Sequence, residues 1–400
     1  MSEASSSEGG WSSSTGQALL KELLTRLLPQ WPDGPRDWQL ESTGYILDGH
    51  DQLLVAGCGE GKTAATYLHL LVLQELSRNP ELPRHGKKIP PKPVTLLVSP
   101  LNDVSLCQVE ELKRIGLSAI SLDADEVAAA VSNGDALFKA VAECRYSVVI
   151  VSPERLTSPG FDRVIRNEVF RANLVLYAID EVHVVVPWSL EFRKCYGDIC
   201  RAKARIPSTT AMLAMTATAQ SGLSESSLLR ILGYRVGTFK TIRRPCERTN
   251  LQQVFLTLSH GLGGHEFRDI AWVVPARRKT VIYCDTIEFC HRVALYLRQL
   301  LPKDAPRTEN IKEYHSLITP EQNRRTLFQF SHSPNTFIII ATIKFSLGVD
   351  VRNVQFCINL GLPKTIEQDV QQKGRAGRDR SIDAVGITYV EKNIVQHFRK

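Results

Sequence analysis

The sequence predicts an α/β protein made of two parallel-sheet domains in tandem. Three observations lead there. Short, uninterrupted apolar runs recur along the chain: Leu53–Val55, Val94–Val98, Val148–Val151, Leu174–Ile179 and Ala211–Met215. Segments with helical spacing lie between them, such as Thr63–Ser77 and Asp103–Ile115. Strands that are apolar throughout and alternate with helices belong to a parallel sheet buried on both faces. The alternation then breaks near Thr241 and restarts, with runs at Thr280–Tyr283, Phe337–Ile340, Val354–Ile358 and Ala384–Tyr389. The chain has 400 residues, 43% of them hydrophobic and 23% charged. Those are globular values, and they exclude a wholly disordered chain, a collagen-like fibre and a coiled-coil rod.

The elements follow in order. Residues 1–16 are rich in Ser and Gly and predict a flexible tail. Leucines 19, 20, 23, 24, 27 and 28 recur at helical spacing, so Gln17–Trp31 is expected to be an amphipathic helix. The stretch Arg78–Lys92 is rich in Pro and basic residues and is expected to be a solvated connection. Between Thr241 and Lys279 the chain carries Arg243, Arg244, Pro245, Gly261, Gly263 and Gly264, which places a domain boundary near Thr241. The expected division is therefore a tail at 1–16, a first domain at 17–240 and a second at 241–400.

The net charge is +7, a mild excess that suits an anionic partner without naming one. Nine cysteines are scattered with no C-x-x-C pair, so no zinc site or redox pair is expected. The N-terminus has no apolar signal core, and no apolar run reaches the ~18 residues that span a bilayer. A reducing, intracellular setting, nuclear or cytoplasmic, is the expectation, with no membrane partner.

Four motifs carry chemistry. Ala56-Gly57-Cys58-Gly59-Glu60-Gly61-Lys62-Thr63 follows an expected strand and opens an expected helix. That context suits a phosphate loop, in which backbone N–H groups and a helix start converge on phosphate oxygens. Lys62 would reach the β- and γ-phosphates and the Thr63 hydroxyl would ligate Mg²⁺. Asp180-Glu181-Val182-His183 ends an apolar run. Asp180 is the metal-side candidate, and Glu181 the group to orient and deprotonate water. Thr216 and Thr218 sit at the next strand tip and could relay hydrogen bonds from the nucleotide. Gln371-Gln372-Lys373-Gly374-Arg375-Ala376-Gly377-Arg378 places two arginines three apart. On one side of a helix turn, they could stabilise charge building on the γ-phosphate.

Together these residues resemble a superfamily 2 helicase, and specifically the RecQ family of DNA helicases. The resemblance runs from about Pro35 to Tyr389. Arg36-Asp37-Trp38-Gln39 resembles the family's N-terminal motif, in which the glutamine reads adenine; Gln39 precedes Lys62 by 23 residues, as that motif requires. Ser152-Pro153-Glu154-Arg155-Leu156, Val98-Ser99-Pro100-Leu101 and Ala341-Thr342 with Gly348-Val349-Asp350 resemble further family motifs. His183, Trp188, Phe192, Arg193 and Tyr196 have the spacing H-x₄-W-x₃-F-R-x₂-Y of the aromatic-rich loop that separates RecQ from other DExH helicases. Aromatic faces stack on unpaired bases at ~1–3 kcal/mol each.

The resemblance implies two RecA-like domains with a nucleotide cleft between them. It implies ATP and Mg²⁺ as cofactors, and contacts to the nucleotide from Arg36, Gln39, Gly57, Gly59, Glu60, Gly61, Lys62, Thr63, Ala64 and Asp350. It implies catalysis by Lys62, Asp180, Glu181, Gln371, Arg375 and Arg378, and 3′→5′ movement on single-stranded DNA with unwinding of tailed or branched duplexes, in DNA repair or recombination. Two departures stand out. Val184-Val185-Val186-Pro187 replaces a more polar run in the aromatic loop. The family's zinc-binding, winged-helix and HRDC modules do not follow Arg378. Alternatives are a single-strand-stimulated ATPase or translocase with weak unwinding, a degenerate nucleotide-binding interaction module, and an RNA helicase.

Overall fold

The computed structural model describes residues 9–57, 59–83, 85, 89–99, 102–122, 136–182, 199, 202–217, 223–235, 237–245, 247–346 and 351–398. The chain divides into two compact units, Met1–Pro245 and Cys246–Lys400. Each unit is an α/β layer structure around one parallel sheet. No described helix is long and apolar enough to cross a membrane.

The first sheet holds β1 (Asp51–Val55), β2 (Val94–Val98), β3 (Ala119–Leu122), β4 (Val148–Val151), β5 (Leu174–Ile179), β6 (Ala211–Thr216) and β7 (Phe239–Arg243). Their order across the sheet is β3-β4-β2-β5-β6-β1-β7, with every pairing parallel. Successive strand side chains point to opposite faces. Leu54, Leu97, Ile150, Ala178 and Leu213 therefore join one core, and Leu53, Leu96, Val149, Tyr177 and Met212 the other. Two covered faces explain why the central strands are apolar at most positions.

The second sheet holds β8 (Leu251–Thr257), β9 (Thr280–Tyr283), β10 (Ile311–Tyr314), β11 (Ile338–Ala341), β12 (Phe356–Leu360) and β13 (Ala384–Val390), in the order β10-β11-β9-β12-β13-β8. The helix Ile287–Gln299 covers one face, through Phe289, Val293 and Leu297. Phe330, from the helix Pro320–His332, joins the core on the other. The helix Ile366–Lys373 is tied down by a buried charge pair. Lys373 is fully buried and its Nζ lies 2.7 Å from Asp369 Oδ2. Asp369 Oδ1 accepts from Asn359 Nδ2 at 2.9 Å and Thr388 Oγ1 at 2.8 Å. The Phe255 ring covers the ammonium at 4.0 Å. A buried ion pair survives only where further hydrogen bonds satisfy it, as they do here.

Several sequence expectations are corrected. The N-terminal tail stops short of residue 16. Trp11 is buried, its amide donates to Asp48 Oδ1 at 2.8 Å, and the Ser12 amide donates to Asp48 Oδ2 at 2.9 Å. Ser13 caps the first helix, Ser14–Leu27, by accepting from the Gly16 amide. Composition averaged over the Ser/Gly run hides one anchoring tryptophan and one cap. The expected break at Thr241 falls inside β7, which pairs along its whole length with β1. The helix expected from Thr63 opens as a 3₁₀ segment, Lys62–Thr66, and becomes α-helical only over Leu68–Arg78.

His69, on that α-helix, is fully buried. Its Nε2 shares a hydrogen bond of 2.9 Å with Thr95 Oγ1 on β2, and its Nδ1 has no partner among the described residues. Burial holds its pKa down at about 3. Below pH ~6.5 the unfolded chain takes up a proton that the folded chain refuses. Stability from this site is complete above that pH and is lost as pH falls toward 3. The melting temperature of His69→Gln is expected to fall less steeply between pH 7 and 4 than that of the parent. Parallel slopes in thermal melts would show that His69 does not set the acid limb.

Candidate active site

All seven strands of the first sheet run the same way, so their C-terminal ends share one edge. β6 lies between β1 and β5. The phosphate loop leaves β1, Thr216 ends β6, and Asp180 follows β5. Three segments far apart in sequence thereby become neighbours, in the crevice where open α/β sheets bind ligands. Thr216 is fully buried, and its carbonyl accepts from the Ala56 amide at 3.1 Å. The Asp180 amide donates to the Val98 carbonyl, which fastens the acidic segment to β2.

Gly59 and Gly61 both have φ of +81°, in the left-handed region that favours glycine. A Cβ on Gly61 would also sit 3.0 Å from Gln39 Nε2. Lys62 Nζ donates to the carbonyls of Ala56 at 2.8 Å and Gly57 at 3.1 Å, across the mouth of the loop. Ala64 is buried, its amide bonded to the Gly61 carbonyl. Gln39 is buried beside the loop: its Oε1 accepts from the Arg36 amide at 2.9 Å and its Nε2 donates to the Gly61 carbonyl at 3.2 Å. The Arg36 guanidinium pairs with Glu60. Arg36, Gln39, Gly57, Glu60 and Gly61 thus form one interlocked unit with Lys62.

Asp180 has its pKa raised to about 7. Burial is the largest cause and the neighbouring Glu181 charge adds to it, while the Lys62 ammonium and the Glu181 amide act the other way. The Glu181 amide donates to Asp180 Oδ1 at 2.9 Å. Glu181 itself has φ of +50°. A non-glycine residue in that region stores backbone strain of about 1 kcal/mol or more, a feature that clusters at working sites. A carboxylate that burial drives toward neutrality gains from a cation, so Asp180 and the Thr63 hydroxyl suit a hard divalent ion. Among the described residues no group of three or more His, Cys, Asp or Glu side chains could hold a metal by itself.

Arg375 and Arg378 lie in the second unit. The expected helix turn is corrected: the helix ends at Lys373, Arg375 sits on the turn beyond it and Arg378 directly follows that turn. Gly374 caps the helix before the arginine pair, and Gly377 lies between the two arginines. Arg375 is buried and Arg378 is partly exposed. Burial pushes the Cys357 thiol up to about 12, while the guanidiniums of Arg375, Arg378 and Arg248 pull it down. Three positive charges therefore gather around the start of β12. Gln371 is buried, and its Nε2 has no partner among the described residues. Arg248 and Asn250 grip this turn, and neither has a local sequence signal, because their partners lie more than 120 residues away. His183, Trp188, Phe192, Arg193, Tyr196, Thr218 and Asp350 lie outside the described residues.

Comparison with known proteins agrees with this fold. The family model for DEAD/DEAH box helicases matches residues 36–226, and that for the helicase conserved C-terminal domain matches residues 269–380. The chain is 26% identical over 361 residues to the ATP-dependent DNA helicase RecQ of Haemophilus influenzae, covering 89% of this chain and 51% of the relative. It spans about half the length of such curated relatives. Among solved structures, the DUF1998 helicase MrfA bound to DNA and AMPPNP superposes with a TM-score of 0.71 at 17% identity, over 94% of this chain and 52% of that one. Mss116p bound to ssRNA and AMP-PNP gives 0.72 at 18%, over 99% and 78%. The two parallel sheets, the phosphate loop with its DEVH segment, the arginine turn and these matches lead to one conclusion: the chain carries the two domains of a DEAD/DEAH-type helicase core and is similar across them to RecQ helicases.

Proposed function

We propose that this chain is an ATP-dependent DNA helicase core that moves 3′→5′ on single-stranded DNA and opens tailed or branched duplexes, in DNA repair or recombination. The observation that carries the hydrolysis part is the meeting of Lys62, Thr216, Asp180 and Glu181 at the ends of three adjacent strands. Lys62, held by two loop carbonyls, is the cation for the β- and γ-phosphates. Thr63 and Asp180 would hold Mg²⁺, which neutralises charge on the phosphate oxygens. Glu181 orients the attacking water and accepts its proton. Arg375 and Arg378 supply positive charge to the γ-phosphate. The DNA preference and the direction of travel rest on the relatives' names and on the H-x₄-W-x₃-F-R-x₂-Y spacing. Buried free thiols at Cys144, Cys284, Cys290 and Cys357 suit a reducing nucleus or cytoplasm.

Lys62→Ala is expected to lose both ATP binding and turnover. Glu181→Gln should bind ATP normally but hydrolyse it about 10²–10⁴-fold more slowly. Near-normal turnover in Glu181→Gln, measured with single-stranded DNA in excess, would remove it from this role.

Arg378→Ala should lower the hydrolysis rate by about 10³–10⁵ while leaving ATP affinity in place. Equal losses in both would assign Arg378 to the fold instead.

Trp188→Ala should weaken single-strand binding by ~1–3 kcal/mol and remove most DNA stimulation of the ATPase. Its basal rate should not change. Parallel assays with RNA and with 3′- and 5′-tailed duplexes test substrate and direction; stimulation by RNA alone would overturn the DNA assignment, and stimulation without strand separation would favour the translocase.

A further inference from the structure

Arg248 and Asn250 lie between the two sheets in sequence, on the approach to β8, and none of the recognised motifs includes them. Their side chains nevertheless converge on the turn that carries the two arginines. Arg248 donates through Nη1 to the Gly374 carbonyl at 3.1 Å and through Nη2 to the Gly377 carbonyl. Asn250 Nδ2 faces the carbonyls of Gly377 at 2.8 Å, Ile382 at 2.9 Å and Asp379 at 3.3 Å. The planar fork of an arginine sets two acceptors at a fixed separation. Gly374 and Gly377 are the residues on either side of Arg375 and Ala376, so the fork fixes the span in which Arg375 sits. Asn250 bonds both before and after Arg378. Its own carbonyl accepts from the Ala384 amide at 2.9 Å, which references the grip to β13. The Gly377 amide donates to the Val354 carbonyl at 2.7 Å and closes the far side.

Gly377 completes the fit. Its φ is +58°, and a Cβ there would lie 2.8 Å from Asn250 Nδ2 and from Ala384 Cβ, and 3.1 Å from Arg248 Nη2. The turn can approach the two side chains this closely only because that position has no side chain.

We propose that Arg248 and Asn250 are positioning residues for ATP hydrolysis: they clamp the backbone of the Gly374–Gly377 turn and so aim Arg375 and Arg378. This rests on the assignment of those arginines to the γ-phosphate. A misplacement of about 1 Å in a charge-stabilising group costs on the order of 100-fold in rate without changing what binds. Asn250→Ala and Arg248→Lys are therefore expected to lower DNA-stimulated kcat by about tenfold to a hundredfold. KM for ATP and single-strand affinity should stay as in the parent. Arg248→Lys keeps the charge and loses the fork, so it is the folded comparison if Asn250→Ala melts below the assay temperature.

The deciding measurement is the double variant. Asn250→Ala placed on Arg378→Ala should add little further loss, because a group already removed cannot be misaimed. Two losses that multiply, or a folded clamp variant with parental kcat, would overturn the clamp. A rise in KM alone would make it a binding element and overturn it as well. If Arg378→Ala by itself keeps full turnover, the arginine assignment is what falls, and the clamp with it. If Arg378→Ala is inactive while both clamp variants are normal, only the clamp falls.

Discussion

A parallel sheet has one constraint from which the rest of this molecule follows: every strand must finish at the same edge. β1, β6 and β5 are neighbours in the sheet though more than a hundred positions of chain separate β1 from the other two. Whatever follows each strand is delivered to one place. The phosphate loop, Thr216 and the Asp180–Glu181 pair need no direct sequence relation to one another, because the crossover helices and the sheet order bring them together. The central strands are mostly apolar to stay covered on both faces, with buried exceptions such as Gln52 and Thr95 held by hydrogen bonds, and the chemistry sits at the strand ends.

At that edge the electrostatics are arranged in opposition. Asp180 sits where burial and a second carboxylate oppose its ionisation, while a lysine and a backbone amide favour it. A site so balanced responds strongly to an added cation or phosphate, since either one shifts the sum. Glu181 beside Asp180 holds a left-handed backbone, with φ of +50°. The phosphate loop is held from behind by Gln39 and Arg36, which couples the N-terminal motif to the glycine backbone before any ligand is considered.

The central architecture was legible in the sequence because its signals are local or continuous. Val94–Val98, Val148–Val151 and Leu174–Ile179 are interior strands, and burial on both faces makes each an apolar run, broken only at Thr95. β3, β7, β8 and β10, which this pattern did not reveal, are the four edge strands of the two sheets. Phe239–Arg243 and Leu251–Thr257 are covered incompletely and so tolerate exposed Lys, Arg and Gln, whereas Gln52 on interior β1 is buried and needs its hydrogen bonds to Ser42. The phosphate loop and DEVH segment were visible for a similar reason: contiguous residues share the work. The grip of Asp48 on residues 11 and 12, and of Arg248 and Asn250 on the arginine turn, joins positions too far apart in sequence to leave a pattern.

The burial of Lys373 bears on how this chain meets a polyanion. Counted by composition, the Lys373–Arg378 segment looks like a basic patch for the phosphates of a nucleic acid. In the fold, the Lys373 ammonium is spent on Asp369 beneath Phe255, and Arg375 is buried as well. Counterions condensed on a strand are released only by charges that reach its backbone. Lys373 and Arg375 would therefore add nothing to such a release. Part of the +7 net charge belongs to the interior and exerts no pull on a distant strand.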